Sequence, residues 1–465
     1  MSDEFLKLLA EAQRTLDRGF AHLPPNPAPP PGEAASAILQ QVATRLHDNY
    51  PYGHPLYAGQ MLKPPHPIAR AAYALAMSVN PNNHALDGGR ASSAMEIEAI
   101  AALAKMFHWT EENGGHLGHL SSGGTFANLE ALWVAGQLAY TEDGTPKAIA
   151  ASDQAHYTHS RISGVLGLPF ISLPSDEHGR IDLTILEALL DTDKIGTVVV
   201  TLGTTAIGSI DPLDRIVALQ ARYKFRIHVD AAYGGYFTLA ANLSSETRAA
   251  FDAIPHADSI VIDPHKHGLQ PYGCGCILFR DPAVGRLYKH DSPYTYFSSK
   301  DLHLGEISLE CSRAGASAVA LWATQQLLPY TPGGAFAQGL EAGHAAALKL
   351  HQRLQESPYF LSPASPPQLD IVFWAVRAAT PETSSALAQL LFDEAAQRDL
   401  HLALAKLPVR FFPQNSWQNL PPVDPQPTVT CLRSVLMKPE HLLWLDQIGP
   451  RLDAAAVAAI GSIPR

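Results

Sequence analysis

The feature that most constrains this chain begins near Gly114, where short apolar stretches start to alternate with helical ones. Candidate strands are Lys147–Ala151, Phe170–Leu173, Thr197–Leu202, Arg226–Asp230, Ser259–Asp263 and Cys276–Arg280. The intervals leave room for crossover helices such as Leu213 to Tyr223. Near-continuous apolar strands separated by helices predict an α/β fold with a largely parallel sheet covered on both faces. In such a sheet, ligands sit beyond the carboxyl ends of the strands. Asp230 and Lys266 both fall at or just after such ends.

Lys266 is the physical oddity. It stands in Ser259-Ile-Val-Ile-Asp-Pro-His-Lys266-His-Gly268, directly after a buried run. Stripping water from an ammonium is costly, so a lysine there is expected to serve as an amine. Desolvation favours the neutral form of an amine, which suits Schiff-base chemistry with a carbonyl cofactor.

Three other stretches supply what such a cofactor needs. In Leu120-Ser-Ser-Gly-Gly-Thr-Phe-Ala-Asn128, glycines open a helix with apolar positions Phe126, Leu129, Leu132 and Trp133. Free N–H groups and the helix dipole favour a phosphate at such a start, and Gly124 lets the backbone approach it. Ser121, Ser122 and Thr125 add hydroxyl donors. The same pattern also describes an ordinary capped helix. It is neither a nucleophile elbow nor a P-loop nor a dinucleotide fingerprint. In Arg226-Ile-His-Val-Asp-Ala-Ala-Tyr-Gly-Gly235, strand alternation delivers Asp230 to the ligand edge. A carboxylate there suits a protonated ring nitrogen, and a turn-capping aspartate reads the same way. In Asp153-Gln-Ala-His-Tyr-Thr-His159, His156 follows a strand. Its flat ring can stack on an aromatic cofactor or handle a proton, or serve only as a structural hydrogen bonder. The pairs His116/His119, His156/His159 and His265/His267 lack zinc-site spacing, so no metal is expected.

In this order the segments resemble the group II pyridoxal-phosphate decarboxylases, which include aromatic-amino-acid, glutamate, histidine and tyrosine decarboxylases. Leu202-Gly-Thr-Thr205, Glu310-Cys-Ser-Arg-Ala-Gly-Ala316 and Cys431-Leu-Arg-Ser-Val-Leu-Met-Lys-Pro439 also look like that family. The resemblance implies pyridoxal 5'-phosphate bound covalently to Lys266, with His156 on the ring and Asp230 at its nitrogen. Ala232 would pack on the ring. Gly124 and Thr125 would hold the phosphate, with Ser122 a further cofactor contact and His265 nearby, and Thr204 or Thr205 would sit by the cofactor. It also implies the fold type I architecture: a large domain with a mainly parallel seven-stranded sheet, a small C-terminal α+β domain and an N-terminal helical arm. Relatives protonate the product carbon with a loop tyrosine; Tyr294 and Tyr296 in Asp291-Ser-Pro-Tyr-Thr-Tyr-Phe297 are both candidates. Two departures bear on substrate choice: Phe126 stands where many relatives carry an acid, and His267 where many carry Trp.

The expected reaction is decarboxylation of an L-amino acid to an amine and CO₂. Aldehyde-forming oxidative decarboxylation, carbon–carbon lysis and transamination share the cofactor, and a non-catalytic scaffold is the alternative of a different class. Transamination calls for an arginine on the α-carboxylate, and Arg313, Arg377, Arg410 and Arg433 are available. Arg313, Tyr57 and His54 are the expected substrate contacts, although the aromatic loop Pro51-Tyr-Gly-His-Pro-Leu-Tyr57 is equally packing material.

Boundaries are expected at residues 1–80 for the arm, 81–335 for the cofactor domain and 336–465 for the smaller domain. Met1 to Gly19 has amphipathic spacing, and Leu23 to Gly32 is a proline-rich connector. An arm without its own core is expected to wrap a second copy, giving a homodimer with a shared active site. A formal charge of −11 with no basic cluster argues against nucleic acid and anionic membrane. No apolar signal core and no spanning stretch is present, and the four cysteines have no metal or C-x-x-C spacing, so a cytoplasmic location is expected.

Overall fold

The structure, a computed structural model, describes residues 3–24, 32–85, 87–289, 307–413, 416–417 and 427–461. Seven strands form the main sheet: β1 (Leu117–Ser121), β2 (Ala148–Ser152), β3 (Phe170–Leu173), β4 (Ile195–Thr201), β5 (Arg226–Asp230), β6 (Ser259–Ile262) and β7 (Gly275–Phe279). Their order is β1-β7-β6-β5-β4-β2-β3. β3, β2, β4, β5 and β6 pair in parallel, while β7 is antiparallel to both β6 and β1. Only β7 is therefore reversed, and the other six strands point their carboxyl ends the same way. All seven residues of β4 are buried, as a sheet covered on both faces requires.

β1 escaped the sequence pattern because Leu-Gly-His-Leu-Ser is not a β-branched run. Gly118 is needed there: a Cβ would lie 2.5 Å from the Leu278 side chain. His119 is tolerated in the interior because Glu130 meets its Nε2 at 2.8 Å and the Leu120 carbonyl meets Nδ1 at 2.7 Å.

A second sheet is fully antiparallel, ordered β10-β11-β9-β8, from β8 (Phe360–Leu361), β9 (Ile371–Val376), β10 (Ala403–Pro408) and β11 (Thr428–Val435). Helices Ala335–Glu356, Pro381–Ala396 and His441–Gly461 pack on it through Leu350, Leu354, Trp374, Leu391 and Leu452. β8 and β10 were not expected: one has two residues, and the other, Ala-Leu-Ala-Lys-Leu-Pro, has no β-branched residue.

Ahead of both sheets lie helices Asp3–Gly19, Glu33–Leu46 and Pro67–Met77. The first two leave Leu6, Leu8, Ile38, Leu39, Val42 and Leu46 exposed. Among the described residues no helix is long and apolar enough to cross a membrane.

Candidate active site

The carboxyl ends of β1, β2, β4, β5 and β6 converge on one cavity of about 320 Å³. A larger cleft of about 1380 Å³, lined by His178, Arg180, Arg410, Phe412 and Trp417 among others, contains neither Lys266 nor Asp230.

The glycine-rich turn after β1 forms one wall. Gly123 has φ +154°, a conformation only glycine adopts readily. A Cβ on Gly124 would fall 2.7 Å from Asp263 Oδ2, so a glycine there lets the Asp263 carboxylate pack against the turn. Gly124 starts the helix Gly124–Leu138, and Ser122, Thr125 and Phe126 line the cavity beside it. Asn128 fastens this turn, donating to the Gly124 carbonyl at 2.8 Å while its Oδ1 meets His228 Nε2 at 2.8 Å. The Ser122 N–H donates to the Glu310 carboxylate at 2.9 Å.

Asp230 ends β5. Its Oδ2 lies 2.8 Å from His159 Nε2, and its Oδ1 accepts the Ala232 N–H at 3.1 Å. Burial alone raises its carboxyl, but the His159 hydrogen bond and the charges of His159 and Lys266 more than offset this. The group is held well below the usual carboxylate range, so a fixed anion sits on the cavity floor. His156 follows β2, with Nδ1 2.6 Å from Thr158 Oγ1, and burial lowers its pKa. Ala232, Thr205, Thr201 and Tyr233 complete the wall.

Lys266 is not the bare desolvated amine expected from its strand. Its side chain is 22% exposed, and Nζ lies 3.0 Å from Asp263 Oδ2. His265 donates from Nδ1 to the Cys274 carbonyl at 2.8 Å and has Nε2 3.6 Å from the same aspartate. Asp263 therefore gathers both residues against the glycine turn.

Four expected residues lie elsewhere. Arg313 is a structural arginine: its Nη1 pairs with buried Glu96 and donates to the Leu120 carbonyl, and its Nη2 donates to the Asn83 carbonyl. Tyr57 is buried among Tyr50, Tyr52 and His401, with the Lys438 ammonium 5.2 Å from its ring centre. His54 accepts the Leu56 N–H at 3.1 Å and packs edge-on against Trp444. Thr204 is fully buried and closes a turn by accepting the Ser209 N–H at 3.0 Å, which leaves Thr205 to face the cavity. Tyr294 and Tyr296 lie outside the described residues.

Sequence reasoning missed His159, Asp263, Thr201 and Tyr233. His159 was within reach, because an aspartate kept ionised in the interior needs a buried partner. The paired histidines do not assemble into a metal centre: among the described residues, no three His, Cys, Asp or Glu side chains gather to hold an ion.

The cavity suits a phosphorylated, aromatic carbonyl cofactor. It offers an anion cradle at Gly123–Thr125, a fixed carboxylate, a flat ring and an amine. Two buried oxygens in its wall, Thr201 Oγ1 and Asp263 Oδ1, have no hydrogen-bond partner of their own.

Comparison with solved structures gives the architecture first. Mouse CSAD in its apo form aligns with TM-score 0.75 at 21% identity, covering 92% of this chain and 90% of that one. Oryza sativa TDC with PLP and tryptamine aligns with TM-score 0.77 at 17% identity, covering 98% and 99%. The fold is thus that of pyridoxal-phosphate decarboxylases. The model of the pyridoxal-dependent decarboxylase conserved domain matches residues 20–376, and the chain belongs to that family. Curated relatives include an L-tyrosine decarboxylase of Enterococcus faecium, 26% identical over 78% of this chain and 76% of that protein. A probable L-tyrosine/L-aspartate decarboxylase of Methanocella arvoryzae is 33% identical over 64% and 74%. An L-2,4-diaminobutyrate decarboxylase of Rhizobium meliloti is 29% identical over 78% and 73%. The protein is a pyridoxal-phosphate-dependent carboxy-lyase acting on an amino acid.

Proposed function

We propose that Lys266 carries the cofactor and that the cavity decarboxylates an aromatic L-amino acid. The observation that carries the reading is the convergence of Lys266, Asp230 and the Gly123–Gly124 turn on one cavity. In this assignment Asp230 meets the protonated ring nitrogen, His156 covers one ring face and Ala232 lies against the ring. Ser122, Gly124 and Thr125, with His265 nearby, take the phosphate, and Thr205 lies beside the cofactor. When bound, the cofactor supplies an electron sink for the pair left as CO₂ departs. Asp230 sustains that sink by remaining anionic, which keeps the ring nitrogen protonated.

For the substrate carboxylate, Arg433 is the best placed of the four arginines. It is buried, donates to the carbonyl of cavity residue Thr205 at 2.7 Å, and has a buried Nε without a partner. Arg313 is committed to Glu96, Arg377 donates to the Phe360 carbonyl, and Arg410 sits in the larger cleft. The side-chain class follows from what lines the cavity. Among the described lining residues Lys266 is the only lysine or arginine, and Phe126 is a 40% exposed aromatic. That wall favours an aromatic side chain over a second carboxylate.

The exposed apolar residues of the two N-terminal helices support a homodimer in which each arm lies on the other copy. Four unpaired cysteines accord with a cytoplasmic enzyme.

The test uses purified protein with pyridoxal 5'-phosphate and a panel of tyrosine, tryptophan, phenylalanine, aspartate, glutamate and 2,4-diaminobutyrate. Expected are an absorbance band at the visible edge, CO₂ and amine released fastest from an aromatic member, and loss of both band and activity in Lys266→Ala. A band that survives in Lys266→Ala overturns the lysine assignment. Aspartate as the best substrate overturns the substrate class, and aldehyde in place of amine overturns simple decarboxylation.

A further inference from the structure

The residue next to Lys266 takes no part in the cavity. The side chain of His267 is 1% exposed, and its ring lies edge-on between Tyr233 and Phe237, with ring centres 4.7 and 5.0 Å away. Both neighbours belong to the segment that follows β5. Facing the ring is Asp370, also 1% exposed, one residue before β9 of the smaller sheet. His267 Nε2 and Asp370 Oδ2 are 3.3 Å apart but not aligned, so both ring nitrogens and that oxygen have no hydrogen bond. The other Asp370 oxygen accepts the Tyr233 hydroxyl at 2.5 Å. Tyr233 lies in the cavity wall, three residues beyond Asp230. One carboxylate of the smaller sheet thus reaches both the lysine turn and the end of β5.

Apolar side chains would fill this space with less penalty, because a buried carboxylate is costly even when compensated. Burial pushes Asp370 up to about 6 in spite of Tyr233, Lys63 and Arg433. Burial also holds His267 well below its ordinary value, with Lys63 and Lys266 acting in the same direction. A neutral ring therefore faces an ionisable carboxylate near contact distance. What this arrangement adds over apolar packing is a polar contact with a direction: Asp370 meets His267 at 3.3 Å with one oxygen and holds the Tyr233 hydroxyl with the other.

We propose that His267 is a positioning residue which, with Asp370 and Tyr233, ties the Lys266 turn and the end of β5 to the smaller sheet and so keeps the Lys266 amine in register with Asp230. This rests on Lys266 being the cofactor lysine, and the experiment separates the two ideas.

The comparison is between wild type, His267→Phe, Asp370→Asn, the double variant and His267→Gln, which retains an N–H. Each is followed by the visible circular dichroism of bound pyridoxal phosphate, by kcat and KM on the best substrate, and by the melting of cofactor-free protein. In the cofactor-free protein, acetylation of Lys266 by acetic anhydride is also followed by peptide mass. For His267→Phe and Asp370→Asn we expect kcat to fall about tenfold, as a slightly misplaced reacting group does, with KM little changed. The dichroic band should change and Lys266 acetylation should quicken, without a fall in melting temperature. The double variant should be no worse than either single one, because both break the same link. His267→Gln should recover most of the rate.

Wild-type kcat, dichroism and acetylation in His267→Phe would overturn the proposal. So would losses that add in the double variant, or losses that follow melting and are not recovered by Gln. If His267→Phe does not fold, Asp370→Asn and His267→Gln with their double variant decide by the same coupling. A wild-type protein that forms no cofactor band, or a band that persists in Lys266→Ala, refutes the lysine assignment and this proposal with it.

Discussion

Two aspartate–histidine pairs flank the candidate site, one under the cavity floor and one where the two sheets meet. Asp230 and His159 are 2.8 Å apart and hydrogen bonded; Asp370 and His267 are 3.3 Å apart and not aligned. Burial raises both carboxyls, yet Asp230 ends well below the usual range and Asp370 is pushed up to about 6. Desolvation cannot explain the contrast. Asp230 receives two aligned donors, His159 and the Ala232 N–H, and a hydrogen bond to the charged form stabilises it strongly. Asp370 receives the neutral Tyr233 hydroxyl and its own backbone N–H and has no histidine donor, so with nearby Lys63 and Arg433 the cost of burial is offset only in part. The same two residue types thus make a fixed anion in one place and a titratable group in the other, and the aligned His159 donor together with the charges of His159, Lys266 and His228 makes the difference.

The largest expected effect comes from removing the aligned donor. His159→Phe would leave Asp230 buried with a single hydrogen-bond donor, and breaking such a pair costs about 3–5 kcal/mol. Urea unfolding of the cofactor-free protein measures it, and a loss below about 1 kcal/mol would show that the pair does not hold the anion. Next is Asp230→Asn, whose amide oxygen can still accept from His159 while the charge is gone. On the proposed assignment kcat should fall on the order of 10²–10³-fold, as when one preorganised electrostatic group is lost, with stability largely kept. Steady-state kinetics at saturating cofactor decides this; near-wild-type turnover would mean that the Asp230 charge is not used.

These pairs also show where the sequence was legible. Arg226–Asp230 and Phe170–Leu173 were read to the residue, and the other expected strands to within two, because short apolar runs set between helical stretches mark the strands of such a sheet. Once the strands run one way, residues just past their ends must meet, which is why Lys266, Asp230, His156, Gly124 and Thr125 share one cavity. Arg313, Tyr57 and His54 went astray because their surroundings are set by distant segments. Glu96 claims Arg313 from 217 residues away, and the Lys438 ammonium lies over Tyr57. Thr204 and Thr205 are alternatives that only the turn closed by Ser209 separates. His267 was visible as a departure, but its meaning needed Asp370, which no local pattern links to the lysine turn.

The smallest expected effect is a slope. The Asp370 carboxyl is raised from 3.8 to about 6, so between those values the folded protein holds a proton that the unfolded chain has released. Asp370 therefore destabilises the fold progressively as pH rises through that window, by up to about 3 kcal/mol above it. Asp230 behaves oppositely: its depressed pKa contributes stability above the unfolded value, which is lost as pH falls through the acid range. His228, lowered to about 3, partly masks the Asp370 slope in wild type, because the unfolded chain binds its proton from 6.5 downward. The difference between wild type and Asp370→Asn removes that background. Chemical denaturation of both proteins at several values from pH 4 to 7 should show the variant gaining on wild type as pH rises, by about 2–3 kcal/mol in all. A difference that stays flat across this range would mean that Lys63 and Arg433 hold Asp370 ionised throughout. The two aspartates would then be electrostatically alike, and the contrast drawn between them would fail.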